Sequence, residues 1–416
     1  MSANINRRGR IKKVYDRATR SAWSFAMAGL CASLVGLGLG RFAYTPLIPG
    51  LIAANWFSAA DVVYLGAANL VGYLAGALVA RSAAAHLGAV RSLRGAMILA
   101  TLSCLACSMP ISFAWFFAWR FLAGFAGGVI MVLAASTVLP HISPDKRGVV
   151  SGMIFAGIGL GVAASGTLVP LLLQQGLRES WYGLAALSGL LTLISWNRWP
   201  KATHTVPVLH DTNRIPPSRI PPSNAIRALL LEYGFNAFAL VPHMVFLVDF
   251  IARGLGQGVA AGSYYWVLYG LGAIVGPLLT GHMADRAGFG PALKISFLLE
   301  AIAIFLPALS TAPASLIVSS VLVGGFTPGI VPLVLGRIHE LIPHSAASQR
   351  IVWGRATTVF ALFQAASAYG LSYLFEHSGG DYLLLFRLGS FAVTLALAID
   401  LMMALTTRRR SSGASR

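Results

Sequence analysis

Charged residues, and acidic ones above all, are scarce in this sequence. Asp and Glu together number 13 in 416 residues, and charged residues of both signs make up only 11% of the chain. Soluble proteins carry about 25% charged residues, because their surface has to be hydrated. With 56% hydrophobic residues, the composition excludes an ordinary soluble protein and predicts a chain that is solvated largely by lipid.

Cysteine is also scarce, which limits the redox and metal chemistry that the chain can support. The three cysteines, Cys31, Cys104 and Cys107, all lie in apolar runs, and their pattern contains no disulfide framework. We interpret the CxxC spacing at 104–107 as two small residues on a membrane helix rather than as a redox or metal pair. The sequence contains no metal cluster, phosphate loop or nucleophile–base arrangement. We therefore expect no metal, no cofactor and no enzymatic activity.

Long apolar runs dominate the chain instead. The hydrocarbon core of a bilayer is ~30 Å thick and a helix rises ~1.5 Å per residue, so a run of about twenty apolar residues predicts a spanning helix. About twelve such runs predict an all-α, multi-pass membrane protein. They cover 22–51, 59–80, 92–109, 112–139, 148–174, 181–199, 225–251, 259–283, 292–310, 313–337, 350–375 and 382–405.

Basic residues outnumber acidic ones, with a formal net charge of +18, and they cluster in alternate connections. The cationic segments are the tail 1–21, the connections after the second and fourth runs, the segment 200–224 and the tail 407–416. Cytoplasmic loops of membrane proteins carry such an excess of Lys and Arg. We therefore expect a protein of the cell inner membrane with both termini in the cytoplasm. Anionic lipid headgroups are the expected partners of these residues, and a nucleic-acid partner is not expected.

The segment 200–224 is the one long polar break in the sequence. It is rich in Pro, set among basic and Ser residues, so we interpret it as a semi-rigid cytoplasmic linker between two halves, 22–199 and 225–406. The halves repeat with an offset near 200 residues, as Tyr64, Gly72, Gly76, Gly88, Leu122 and Gly124 correspond to Tyr264, Gly272, Gly276, Gly288, Leu322 and Gly324. Two parallel six-helix halves are typical of transporters of the major facilitator type.

Several motifs resemble those of the major facilitator superfamily. The segment GHMADRAG at 281–288 resembles the superfamily's G-x-x-x-D-R-x-G cytoplasmic loop. This resemblance implies that Asp285 and Arg286 belong to a cytoplasmic gate. The equivalent segment of the first half, 76–91, keeps glycines and cations but has no Asp.

Two more segments extend the resemblance, which covers about residues 22–406. Arg120-x-x-x-Gly124-x-x-x-Gly128 resembles the fourth-helix motif of a membrane arginine followed by small residues. GRFAYTPLIP at 40–49 is similar to the first helix of the YbfB/YjiJ-type group. The resemblance implies that the first, fourth, seventh and tenth helices line a central cavity.

Arg41 lies in a run that is otherwise apolar from Trp23 to Phe57. A charge within hydrocarbon is costly, and by default it faces a bundle interior or a wet cavity and marks a ligand path. Tyr44 and Thr45 follow at positions i+3 and i+4 and are expected on the same helical face. The alternative is an arginine whose side chain reaches the outer interface.

Arg120, on the fourth run, is expected at a depth similar to that of Arg41. No carboxylate in the first six runs is an obvious neutraliser of either charge. Two cations in one cavity would attract an anion, preferably a carboxylate bound in a bidentate way. We therefore predict that Arg41 and Arg120 bind an organic anion, with hydrogen bonds from Tyr44 and Thr45. The alternative for Arg120 is a structural arginine that bonds backbone carbonyls.

The seventh run carries three polar residues on one stripe, Glu232, Asn236 and His243. Asn236 and His243 are predicted to contact the substrate. His243 titrates near physiological pH, so we predict that it or Glu232 carries protons. The alternatives are a helix–helix hydrogen bond for His243 and an interfacial salt bridge for Glu232. For Glu300, on the ninth run, we expect a buried structural partner or a protonated carboxyl group.

These observations predict a monomeric secondary transporter that moves a small organic anion by alternating access with proton coupling, as a symporter or antiporter. A drug/proton antiporter is the close alternative, although it would require a cavity carboxylate in the first half. A non-transporting membrane sensor is the alternative from another class, and it would need a soluble output domain.

Overall fold

The computed structural model describes residues 22–143, 147–200, 224–343 and 345–413, and these residues form helices and connections without a β-strand. Eleven of the helices are long and apolar enough to span a membrane. The all-α membrane fold predicted from the apolar runs is therefore confirmed. The predicted tail 1–21 and nearly all of the predicted linker 200–224 lie outside the described residues.

Twelve helices follow one another along the described chain, as predicted. We number them α1 (Ala22–Ala53), α2 (Ala59–Leu87), α3 (Ala89–Ala106), α4 (Phe113–Val138), α5 (Arg147–Leu173), α6 (Leu177–Ser195), α7 (Asn224–Gly254), α8 (Gly258–Ala287), α9 (Phe289–Leu309), α10 (Pro313–Leu341), α11 (Ala346–His377) and α12 (Tyr382–Gly413).

Two helices differ from the pattern of apolar runs. α6 has 19 residues and is not among the eleven helices that are apolar enough to span, because polar residues such as Arg178 and Glu179 occupy its first turn. α12 continues beyond its apolar run to Gly413, so part of the predicted tail 407–416 belongs to this helix.

The two halves pack in the same way, because glycines stand at equivalent positions in both. α2 packs closely on α4 in the first half, and α8 packs closely on α10 in the second. A Cβ atom on Gly72 would overlap the carbonyl oxygen of Phe121, and one on Gly272 would overlap that of Val321. Glycine lets the helix backbones approach to direct contact, as is common between membrane helices. The offset of 200 residues in the sequence is thus an offset between equivalent helix contacts.

Contacts between the halves are formed by α2 with α11, by α5 with α8 and by α1 with α7. We call the end of the bundle at which α1 begins the near end, and the end at which α1 finishes and α2 begins the far end. At the far end, the Tyr64 hydroxyl of α2 donates a hydrogen bond of 3.0 Å to Glu376 of α11. Between α8 and α5, Trp266 Nε1 donates to Ser165 Oγ at 3.1 Å. These bonds tie the two halves together.

α1 and α7 are irregular at equivalent positions in the two halves. α1 passes through a π-helical turn at Leu34–Leu39 and then a 3-10 segment at Phe42–Leu47, within which Pro46 lies. α7 contains a π-helical turn at Pro242–Phe246 and a second one at Phe250–Gly254. Interrupted helices inside a membrane are tolerated where they face protein or line a cavity. The interruptions therefore indicate that a functional site lies between α1 and α7, at the centre of the bundle.

Candidate functional site

A small cavity of about 20 Å³ lies between the interrupted segments of α1 and α7. This volume is enough for about one water molecule. Residues of α1, α2, α4 and α7 line it, and those that carry polar atoms or sulfur are Arg41, Tyr44, Thr45, Asn69, Arg120 and Met244. Four of these, Arg41, Tyr44, Thr45 and Arg120, are the residues that the sequence singles out in the first half.

Arg120 enters this cavity from α4 and is almost completely buried, with 3% of its surface exposed. Its Nη1 donates a hydrogen bond of 3.0 Å to the carbonyl oxygen of Gly40, which lies where the π-helical turn of α1 ends. Its Cζ lies 4.0 Å from the centroid of the Tyr44 ring. Its Nε is buried without a hydrogen-bond partner. This bond to a backbone carbonyl is the structural role predicted from the sequence as the alternative for Arg120. Among the described residues it uses one of the five N–H donors of the guanidinium group.

Arg41 lies at the break of α1, between the π-helical turn and the 3-10 segment, and is half-buried. Its Nη2 lies 3.9 Å from the sulfur of Met244, and its Cζ lies 5.1 Å and 5.2 Å from the rings of Phe42 and Tyr73. Its Nε is buried without a hydrogen-bond partner. Sulfur and aromatic faces are weak partners for a guanidinium group, so most of its donors stay available.

Neither arginine has a carboxylate partner among the described residues. The salt bridges there join Arg253 to Asp249, Lys294 to Asp400 and Arg337 to Glu340, all in the second half. No Asp or Glu of the described ranges lines the cavity. Two positive charges therefore share one small cavity, in which aromatic rings, a sulfur atom and one carbonyl oxygen are their partners among the described residues.

Tyr44 and Thr45 lie in a 3-10 segment rather than in the α-helix from which their common face was predicted. The Tyr44 hydroxyl donates a hydrogen bond of 2.7 Å to the carbonyl oxygen of Val62 on α2. Thr45 Oγ1 donates one of 2.6 Å to the carbonyl oxygen of Met244 on α7. Both side chains line the cavity, while their hydroxyl groups are engaged by the neighbouring helices. The Thr45 bond crosses from one half to the other at the site itself.

Two polar residues of this region were not found from the sequence. Asn69 of α2 donates from Nδ2 to the carbonyl oxygens of Gly40 (3.3 Å) and Arg120 (3.1 Å), and its Oδ1 is buried without a hydrogen-bond partner. Gln364 of α11 places Nε2 3.6 Å from the sulfur of Met244. A lone amide in an apolar run was the available signal for both. Such residues are common enough as helix–helix bonds that they do not stand out alone.

Asn236 and His243 are not brought to this cavity. Asn236 donates a hydrogen bond of 2.7 Å to Glu300 on α9, and His243 Nε2 lies 2.7 Å from Ser319 Oγ on α10. Both side chains are completely buried within the second half. The stripe predicted on α7 therefore exists but faces away from the cavity, so direct substrate contact by these two residues stays a prediction without support from this geometry.

The remaining predicted residues lie toward the near end of the second half. Glu232, 2% exposed, is one turn before Asn236 on α7. Asp285 and Arg286, at the near end of α8, are exposed to solvent and take part in no salt bridge among the described residues. The proton role of Glu232 and the gate role of Asp285 and Arg286 stay predictions.

A family model and several solved structures match this chain. The family model described as "Uncharacterised MFS-type transporter YbfB" matches residues 33–401. A crystal structure of a D-xylose–proton symporter superposes with a TM-score of 0.71 at 15% identity, covering 90% of this chain and 97% of that chain. The xylose transporter XylE from E. coli, in a partially occluded inward-open conformation, gives a TM-score of 0.70 at 15% identity, covering 91% and 97%.

A mutant of the nucleoside transporter NupG gives a TM-score of 0.72 at 13% identity, covering 91% of this chain and 99% of that chain. At such identities the solved structures show the fold alone, whereas the family model covers most of the chain. The chain therefore belongs to the family of YbfB-type transporters of the major facilitator superfamily.

Proposed function

We propose that this protein is a secondary transporter of a small organic anion, whose negatively charged group is bound between Arg41 and Arg120. The observation that carries the proposal is that two guanidinium groups line one cavity without a carboxylate partner in the described part of the chain. Burying such charges unpaired is costly, so a bound anion would relieve a cost that the folded chain already carries. Arginine also presents paired donors that match the two oxygens of a carboxylate.

Binding an organic anion requires the cavity to widen, since about 20 Å³ holds no more than a water molecule. The halves are tied together at the cavity by Thr45 with Met244 and at the far end by Tyr64 with Glu376. These bonds support closure of the bundle on the far side of the cavity in this conformation. An alternating-access cycle would break them when the far end opens and would admit the anion from the other side.

The test is a ligand screen on the purified transporter in detergent. Lactate, succinate, citrate and benzoate would be compared with their uncharged amides for an increase in unfolding temperature. We expect stabilisation by at least one carboxylate and not by its amide, and loss of that stabilisation in Arg41→Ala. Arg387→Ala, which removes an exposed arginine from α12, is the matched control and should respond as the unchanged chain does.

Proton coupling is the second part of the proposal. A transporter that accumulates an anion against a negative-inside potential needs an ion gradient to do so, and a proton is the simplest neutralising partner. Anion uptake into vesicles that is indifferent to an imposed pH gradient would exclude it. The drug/proton antiporter alternative is less well supported, because a cationic drug would meet two arginines and no carboxylate in the cavity. Stabilisation of the protein by lipophilic cations rather than by carboxylates would favour it.

A further inference from the structure

Glu300 on α9 is a completely buried carboxyl group that takes part in none of the salt bridges of the described residues. Asn236 Nδ2 of α7 donates a hydrogen bond of 2.7 Å to Glu300 Oε2, whereas Oε1 is buried without a hydrogen-bond partner among the residues that the structure describes. An isolated carboxylate in such a place is far more costly than the neutral acid. Glu300 therefore carries a proton in this arrangement, and losing that proton requires its surroundings to change.

The groups that face Glu300 from the neighbouring helices cannot serve as its counter-ion. Asn236 of α7 hydrogen-bonds Glu300, and Tyr269 of α8 is close enough to interact with its charge. Glu232 and His243 of α7 and Ser319 of α10 are also buried on the helices that pack against α9, without a direct bond to Glu300 among the described residues. The nearest cation on its own helix, Lys294, lies ~9 Å earlier along the axis and is already paired at 3.3 Å with Asp400 of α12. Arg387 of α12 is exposed. A proton is thus the ligand that neutralises this carboxylate.

His243 is also buried where α7 packs against its neighbours in the second half. Its hydrogen bonds show which ring nitrogen carries the proton. Ser319 Oγ donates a hydrogen bond of 2.6 Å to the carbonyl oxygen of Ala303, which is three residues from Glu300 on α9. Because the single hydroxyl hydrogen of Ser319 is used there, His243 Nε2 is the donor in its 2.7 Å contact with Ser319 Oγ. His243 Nδ1 is then a bare acceptor, and it is buried without a partner. The histidine is accordingly neutral.

The π-helical turn Pro242–Phe246 connects the buried surroundings of His243 to the anion cavity. His243 faces α10 and α12, whereas the next residue, Met244, faces the cavity. The Met244 carbonyl oxygen accepts the hydrogen bond of Thr45, and its sulfur lies 3.9 Å from Arg41 Nη2. An anion that binds Arg41 would displace the Met244 sulfur and so shift this turn. π-helical turns often occur at functional positions of helices.

We infer that Glu300 is the binding site of the coupling proton, separate from the anion cavity and linked to it by the turn Pro242–Phe246. The inference rests on the proposed function for the identity of the driven solute. In the cycle, the Glu300 carboxylate takes a proton from water on one side and becomes the neutral acid inferred for this arrangement. It releases that proton to water when α7 and α9 separate on the other side. Asn236 and His243 position this group and do not bind the anion.

The first experiment needs no transported solute. Infrared spectra of the purified protein would be recorded between acidic and alkaline pH for the unchanged chain and for Glu300→Gln, which preserves the shape and the acceptor for Asn236. We expect a protonated-carboxyl band that is absent from Glu300→Gln, shifts in D2O and disappears as pH rises. A band that neither exchanges nor titrates would overturn the inference, because it would mark a permanently protonated structural group.

The second experiment measures coupling in proteoliposomes with the carboxylate that stabilises the protein best in the screen. A pH gradient of one unit drives a solute coupled to one proton to about tenfold accumulation. We expect Glu300→Gln to lose this accumulation while it keeps exchange of labelled carboxylate across the membrane at zero gradient. Accumulation that survives in Glu300→Gln and is lost in Glu232→Gln would transfer the role to Glu232 and reject Glu300.

The two proposals fail in different ways. If no carboxylate stabilises the protein, the anion proposal fails while the infrared titration still tests Glu300. If carboxylates bind and exchange but accumulation follows a sodium gradient and not a pH gradient, the anion proposal stands and the proton inference is overturned. Unchanged thermal unfolding of Glu300→Gln would show that lost accumulation does not come from misfolding.

Discussion

The guanidinium group of Arg120 lies over the face of the Tyr44 ring, with Cζ 4.0 Å from the ring centroid. Such a cation–π contact contributes about 2 kcal/mol when it is desolvated, which is less than a buried carboxylate would provide. The ring therefore holds the arginine in place without neutralising it. This contact explains how a positive charge can be both fixed in position and available to an anion.

Arg41→Met is expected to stabilise the protein in the absence of substrate. Arg41 is half-buried, and its Nε has no hydrogen-bond partner among the described residues, so an apolar side chain of similar length removes an uncompensated charge. Exchanging buried charges for hydrophobic residues can stabilise a protein by about 1–4 kcal/mol. The unfolding temperature in detergent should rise, and the difference should shrink when a stabilising carboxylate saturates the unchanged chain.

The control for this prediction is Arg387→Met on α12, where the arginine is exposed and little change is expected. A lower unfolding temperature for Arg41→Met without substrate would show that the Arg41 charge is paired in the folded protein. That result would count against an anion site.

Tyr44→Phe and Tyr44→Leu separate the two roles of Tyr44. Phe keeps the ring under Arg120 and loses only the hydrogen bond to the Val62 carbonyl, which contributes about 0.5–1.5 kcal/mol to folding stability. Leu loses the ring as well, so Arg120 is no longer held. We expect carboxylate affinity, measured by thermal titration, to change little in Tyr44→Phe and to fall clearly in Tyr44→Leu. Equal losses in both variants would mean that the hydroxyl, and not the ring, serves the site.

Thr45→Val is expected to favour opening of the far end. It removes the hydrogen bond of 2.6 Å to Met244, which crosses between the halves, and leaves a methyl group of similar size. Losing one such bond shifts a two-state equilibrium by about 1 kcal/mol, or about fivefold. Spin labels at positions 60 and 260, at the far ends of α2 and α8, should show a larger population of long distances. Thr45→Ser keeps the hydroxyl and should resemble the unchanged chain; identical distance distributions in Thr45→Val would argue that this bond does not hold the far end closed.

Gly124→Ala is expected to disrupt the first half severely. A Cβ at this position of α4 would overlap the carbonyl oxygen of Asn69, which lies in backbone that cannot move without separating α2 from α4. Gly324→Ala should act alike in the second half, where the overlap is with Tyr269. The matched control is Gly95→Ala on α3, where no atom lies within 4 Å and alanine should stabilise the helix by about 0.5–1 kcal/mol.

The measurement for these glycine variants is the yield of monodisperse protein in detergent together with its unfolding temperature. We expect Gly124→Ala and Gly324→Ala to give a low yield and a low unfolding temperature. Gly95→Ala should equal or exceed the unchanged chain in yield and in unfolding temperature. Normal yield and stability for Gly124→Ala would mean that α2 and α4 are not in backbone contact at this level.

Part of the site could be predicted because a buried charge is conspicuous in an apolar chain. Arg41 and Arg120 stand out by their cost in hydrocarbon, and the structure brings both to one cavity. The orientation of α7 could not be predicted in this way. The stripe with Asn236 and His243 is polar whichever way it faces, and only packing against α9 and α10 turns it away from the cavity. The local break at Gly40 likewise depends on contacts from Asn69 and Arg120 on other helices.

The sequence by itself determined that a lipid bilayer surrounds the protein, how many helices it has and that its two halves repeat. Each of these depends on composition and on spacing along one chain. Low charge and runs of apolar residues require a bilayer, and glycines repeated at an offset of 200 require equivalent close contacts in both halves. Only the tertiary structure decided which polar groups meet. Partners such as Arg120 with Tyr44 and Asn236 with Glu300 lie on different helices, and whether a buried charge is paired depends on how those helices are rotated against one another.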